Sequence, residues 1–249
     1  MTIAERATAS RVAASDAPLA PLASDASHAL FGAGGSEPYA RALHRSAQAP
    51  LVLRESGDIH QASQISMDVD RWSADANPTD LALLSAVTGR VLDIGCGPGR
   101  MVRGAMDLGL DVLGIDVSAA AIEVARAGGL PVLLGSVFEP LPNEGHWQTV
   151  LLVDGNIGIG GDVAALLGRC RDLLLPTGEI VLELHTDAST DRAYTATLVD
   201  SDGGCSAQFP WAEVGLDRIA ELAPQHRLAL SQVWISEGRS FCRLAATRR

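Results

Sequence analysis

The stretch from Val91 to Arg100, VLDIGCGPGR, constrains the fold of this chain more than any other. A short apolar run leads into glycines at 95, 97 and 99, and a segment with helical patterning follows. Glycines at such a junction allow a tight turn and close backbone approach to a ligand, while the helix behind them offers unpaired amide donors. The rest of the chain extends this unit. Apolar runs at Arg90 to Ile94, Asp111 to Ile115, Pro131 to Val137, Thr149 to Val153 and Glu179 to His185 read as strands. The first four are nearly continuous, as in a parallel sheet covered on both faces. Helices are expected at Pro78 to Val87 behind Asn77 as N-cap, and at Arg100 to Leu108, Ala119 to Ala127, Val163 to Leu175 and Trp211 to Leu222. Asp162 is placed to cap the fourth of these, and Pro176-Thr177-Gly178 to close it.

The pattern predicts an α/β chain: a Rossmann-like, doubly wound and mostly parallel sheet of seven strands with helices on both faces. Its antiparallel C-terminal edge is the pair Leu228 to Ser236 and Ser240 to Ala246. Residues 1–28, rich in Ala, Ser, Pro and Asp, read as a disordered arm. Residues 29–77 read as a cap or lid, with a short helix from Pro38 to His44 and two extended pieces around a Ser56-Gly57-Asp58 turn. The main domain spans 78–249, with an inserted hairpin at about 186–210. In such a sheet, ligands bind outside the carboxyl ends of the strands.

Composition narrows the function. The 19 basic residues are all arginine, because the chain has no lysine. Walker phosphate loops and Schiff-base pyridoxal enzymes both need a lysine and are excluded. A net charge of −11 disfavours nucleic acid and anionic membrane surfaces and favours a small molecule as partner. No apolar run has the length of a membrane span, no apolar signal core opens the chain, and Cys96, Cys170, Cys205 and Cys242 lack the short spacings of a metal or redox site. A cytoplasmic protein with reduced thiols is expected. The oligomeric state is not legible.

The glycine spacing G-x-G-x-G, with Pro98 inside it, departs from the G-x-G-x-x-G that seats a pyrophosphate. Asp93, two residues before the first glycine, would repel a pyrophosphate but could accept hydrogen bonds around a cationic amino-acid group. Asp116, at the end of the second strand in GIDVS, sits where a carboxylate accepts both hydroxyls of a ribose. On these residues the chain resembles the class I S-adenosylmethionine-dependent methyltransferases, over roughly Thr79 to Ala246. The resemblance implies S-adenosyl-L-methionine as cofactor. Asp93, Gly95 and Gly97 would then line its methionine end, with Cys96 and Gly99 in the same loop, and Asp116 with Val117 would stand at the ribose. Where that family often carries Gly-Asp after the third strand, this chain has Gly135-Ser136-Val137-Phe138. Ser136 is then the candidate for the adenine edge, and Val137 and Phe138 for its face.

The loop after the fourth strand, VDGNIGIGGD, resembles a string found in poorly characterised bacterial members of the same family. By that resemblance it runs beneath the sulfonium, with its glycines allowing close approach and with Asp154 and Asn156 facing the cofactor or orienting a substrate. A general base, where the acceptor is a hydroxyl, is sought at His185, with Glu183 on the same strand face by the two-residue period. Arg71, Trp72 and Trp211 are candidate pocket walls. No metal is expected. The reading is methyl transfer to an oxygen or nitrogen of a small molecule. Its alternatives are a protein or RNA methyltransferase, a cofactor-binding protein without catalysis, and a nicotinamide oxidoreductase, which the glycine spacing and Asp93 oppose.

Overall fold

The computed structural model describes residues 30–32, 38–44, 51–56 and 64–247. The arm at 1–28 and most of the Ser56-Gly57-Asp58 turn lie outside them. Before the glycine loop come α1 (Pro38–His44), β1 (Leu51–Glu55), β2 (Gln64–Met67), α2 (Val69–Ser73) and α3 (Pro78–Ser85). α3 starts where its sequence dictates. The Asn77 side chain accepts from the amide of Asp80 at 2.9 Å, the Asp80 carboxylate accepts from the amide of Asn77 at 3.1 Å, and Pro78 fills the first helical position.

Alternation follows: β3 (Arg90–Ile94), α4 (Arg100–Asp107), β4 (Asp111–Asp116), α5 (Ala119–Ala127), β5 (Val132–Leu134), β6 (Trp147–Leu152), α6 (Val163–Leu173) and β7 (Leu174–Leu184). β8 (Asp191–Val199), β9 (Phe209–Val214), α7 (Leu216–Leu222), β10 (Leu228–Ser236) and β11 (Arg239–Ala246) complete the chain. The main sheet has the order β10-β11-β7-β6-β3-β4-β5, parallel from β7 to β5 and antiparallel at β10 and β11. The central strands are apolar on both faces because both are covered. On β7, Ile180 and Leu182 pack with Leu166, Leu167 and Ile219 of α6 and α7, whereas Val181 between them packs with Leu84, Val102 and Ile122 of α3, α4 and α5. Each such buried side chain contributes about 1.5–3 kcal/mol.

A second sheet, antiparallel with the order β2-β1-β8-β9, joins the N-terminal segment to the insertion. Leu53 pairs with Leu198 across it. Its core of Tyr39, Leu51, Leu53, Leu198, Phe209 and Trp211 packs against Ala121 of α5, which seats this sheet beside the glycine loop.

Three local expectations change. Trp211 to Val214 is not helical: it belongs to β9, where Phe209, Trp211 and Val214 are buried, and α7 begins only at Leu216. Pro210 is tolerated there because β9 is an edge strand of its sheet. The hairpin accordingly runs from Asp191 to Val214, with an added bridge between Val199 and Cys205. α6 ends at Leu173, and Pro176-Thr177-Gly178 fall within β7, at the irregularity between its pairing with Trp147 and with Thr149. Asp162 does cap α6, accepting from the amide of Ala165 at 2.9 Å.

Candidate functional site

At the carboxyl end of β3 the chain turns through three glycines with positive φ: Gly95 at 71°, Gly97 at 55° and Gly99 at 99°. A side chain at Gly95 would occupy the place of Asn156, whose Nδ2 donates to the carbonyls of Ile94 and Gly95 at 2.9 and 3.0 Å. The loop is tied to β4 from the other side. Gly97 and Ser118 donate their amides to the two oxygens of Asp116, each at 2.8 Å. Burial raises the Asp116 carboxyl to about 6, against the pull of these amides.

Asp93 lies beneath the loop. It is 1% exposed, and neither carboxylate oxygen has a partner. Burial raises it to about 7; the nearby Asp154 adds to this and Arg100 opposes it.

Next to Asp93, charge is tightly paired. Arg100, 3% exposed, donates to Asp80 and Asp154. Arg239 reaches Glu183 at 2.7 and 2.8 Å and Asp80 at 2.9 Å, and Arg71 reaches Asp154 at 2.9 Å. Asp154 has a positive φ of 57°, and its amide donates to Glu183 at 2.6 Å. Three carboxylates thus meet three guanidiniums. Asp93 remains the uncompensated acid of the group.

Asp93, Gly95, Cys96, Gly97, Asp116, Val117, Ser136, Val137, Asp154 and Asn156 line one cleft, with Trp72 and Trp211 in its walls. Other candidates lie elsewhere. Gly99 caps α4 and stands against Leu130, and Phe138 is 43% exposed with its ring beside Gly160. His185 is exposed outside the cleft: β7 ends at Leu184, the His185 amide bonds to the Val214 carbonyl, and its Nδ1 lies 2.8 Å from the Thr190 hydroxyl. Glu183, still in the strand, is occupied by Arg239 and the Asp154 amide. The two-residue period therefore does not carry the pair into the cleft.

The glycines of VDGNIGIGGD also differ from expectation. A Cβ at Gly158 would lie 2.1 Å from the Ala212 carbonyl oxygen, and one at Gly161 would lie 2.9 Å from Pro210. They make room for β9 rather than for the cleft. Asp154 and Asn156 are the members of the string that meet the glycine loop and its charged neighbours.

Two acids at adjacent strand ends, a backbone cradle and a single arginine at the turn, Arg100, whose terminal nitrogens are held by Asp80 and Asp154, form the wrong donor set for a pyrophosphate. They suit a nucleoside that carries a cationic amino acid. The unpartnered Asp93 oxygens and the open space at Gly97, where a Cβ would meet only the Tyr39 hydroxyl at 3.2 Å, leave room for one.

Residues 91–178 match the family described as "Methyltransferase domain". Residues 91–178 thus carry a methyltransferase domain, and the chain is similar to the class I S-adenosylmethionine-dependent methyltransferases. The ubiquinone biosynthesis O-methyltransferase of Rhodopseudomonas palustris (strain BisA53) is 34% identical over 113 residues, 43% of this chain and 44% of that protein. The namesake from Xanthomonas oryzae pv. oryzae is 28% identical over 68% of this chain and 73% of its own length. The chain thus spans less than half the length of the first of these relatives. Among solved structures, an S-adenosylmethionine-dependent methyltransferase from Bacteroides fragilis, in complex with S-adenosyl-L-homocysteine, superposes with a TM-score of 0.70 at 18% identity, over 84% of this chain and 93% of that one. Burkholderia thailandensis 1,6-didemethyltoxoflavin-N1-methyltransferase gives 0.53 at 19% identity, over 73% and 82%.

The cleft and its surroundings hold features that sequence reasoning missed. Asp80, Arg100 and Arg239 come from α3, α4 and β11, and no local spacing relates them. Leu30, Phe31, Tyr39 and Met67 reach the cleft from the N-terminal segment, where the scarcity of aromatic residues, 4% of the chain, was the available signal.

Proposed function

We propose that this chain transfers a methyl group from S-adenosylmethionine to an oxygen or nitrogen of a small molecule. The observation that carries the proposal is the buried, unpartnered Asp93 carboxylate facing the same cleft as Asp116 across the glycine loop. When bound, the cofactor supplies an electrophilic methyl on a sulfonium. Asp116, held by two amides, is assigned the ribose hydroxyls, and Asp93 the amino-acid end, where a positive group would offset its buried charge. Ser136 and Val137 are assigned the adenine. Asn156 clamps the loop, and Asp154 stays fixed among arginines, so that the cleft floor is preorganised. The chain's contribution is mainly positioning, which in-line transfer most needs. The lone pair of the neutral acceptor supplies the nucleophile in this reading, because neither His185 nor Glu183 lines the cleft.

The bacterial relatives and unpaired thiols support a bacterial, cytoplasmic setting. Among the described residues no helix is long and apolar enough to cross a membrane.

Calorimetry with S-adenosylhomocysteine and with NAD tests the proposal: the first binds and the second does not, and the reverse result overturns it. Asp116→Ala weakens S-adenosylhomocysteine by about 1–3 kcal/mol, the value of hydrogen bonds to a charged group.

A further inference from the structure

We infer that the methyl acceptor is an uncharged, flat aromatic molecule, an inference that rests on the methyltransferase reading above. The wall facing the glycine loop is aromatic. Phe31, Tyr39, Trp72 and Trp211 all line the cleft, although the chain has only four tryptophans, four phenylalanines and two tyrosines. Phe31 stands 5.5 Å from Trp211 and 6.3 Å from Trp72 between ring centroids, and Tyr39 stands 5.9 Å from Trp72. Trp211 lies directly over the loop that follows β6. A Cβ at Gly158 would come within 2.9 Å of its indole, and one at Gly155 within 3.9 Å. Trp211 therefore stands beside Asp154 and Asn156, residues of the loop that the family resemblance places beneath the sulfonium. Flat rings meet such walls by stacking and by edge-to-face contact.

Charge selects further. Among the described residues, Arg100 is the only cation lining the cleft, and both its terminal nitrogens are taken by Asp80 and Asp154. The remaining acids there, Asp93 and Asp116, would repel an anion. A carboxylate or phosphate on the acceptor would be buried without a counter-ion. A cationic acceptor is opposed by the sulfonium it must approach. What remains is a neutral ring system. Its heteroatom lone pair forms the new bond to carbon as the carbon–sulfur bond breaks, the released pair neutralises the sulfonium, and the methylated heteroatom then loses its proton to water.

The test uses the full chain saturated with S-adenosylhomocysteine and three probes of one skeleton: 2-naphthol, 2-naphthoate and decahydro-2-naphthol. Calorimetry is expected to show 2-naphthol binding at least about tenfold more tightly than the anionic or the non-planar probe. Trp211→Ala should weaken 2-naphthol at least about tenfold while changing S-adenosylhomocysteine affinity less than about threefold. Trp72→Ala, at a partly exposed position in a short helix, should act in the same direction, and it decides the matter if the Trp211 variant does not fold. Equal or tighter binding of 2-naphthoate or decahydro-2-naphthol overturns the inference. So does a lack of saturable 2-naphthol binding, or full retention of that binding in the folded variants. Failure of S-adenosylhomocysteine to bind the unaltered chain strikes the methyltransferase reading itself and is seen before any probe is added.

Discussion

Asp93 carries a cost that the fold accepts for the sake of its cleft. Burial raises its carboxyl from 3.8 to about 7, so between those values the folded chain keeps a proton that the unfolded chain has released. The stability this site contributes therefore falls as pH rises from about 4 to about 7 and is level above that. Asp93→Asn removes the titration. Thermal melts should show its Tm, relative to the parent, rising between pH 5 and pH 8, by about 2–4 °C for each kcal/mol involved. Its affinity for S-adenosylhomocysteine should fall at the same time. If the difference in Tm does not change with pH, Asp93 is not the buried acid described. His185 gives the opposite expectation. A general base is worth about 10²–10⁴ in rate, whereas His185→Gln should reduce methyl transfer by less than about tenfold, because the imidazole lies outside the cleft. Asp93 and Asp116 were legible in the sequence because a strand end and a glycine turn are local patterns. Their neighbour Arg100 was not, since its partners Asp80 and Asp154 stand 20 and 54 residues away along the chain.

Elements were legible where one period governed them and illegible where a distant strand overrode it. β3, α4, β4 and α5 follow from apolar runs and caps within each segment. β9 does not: Trp211-Ala212-Glu213-Val214 leads into a helical pattern, yet pairing with β8 fixes it as extended. The glycines at 158 and 161 were the clue, because they exist to let that strand pass. Gly158→Ala should consequently destabilise the fold by about 1–3 kcal/mol or more, since its Cβ would overlap a backbone carbonyl that cannot rotate away. Urea unfolding measures this. A neutral result would mean that β9 is not packed on the loop. The pairing of β1 with β8 was equally invisible, because neither strand carries a mark of its partner.

At the scale of the molecule, Arg239 bonds the β11 end of the edge hairpin to α3 through Asp80 and to β7 through Glu183. Asp80 is fully buried. Arg239→Leu should cost about 3–5 kcal/mol by leaving Glu183 without its guanidinium and buried Asp80 with Arg100 as its remaining cation, and adding Asp80→Asn should recover part of the loss. Denaturant titration of the two variants checks both statements; equal stability of the single variant and the parent would remove the network from the account of the fold. The second sheet has a different consequence, one of timing. Leu53 and its partner Leu198 are 145 residues apart, so at roughly 5–20 residues per second a ribosome makes β1 about 7–30 s before β8 exists to receive it. By then β3 to β7 have been synthesised. On the nascent chain the glycine loop and its acids therefore come into being before the second sheet can close over them, and Trp211 is the last of the aromatic walls to arrive.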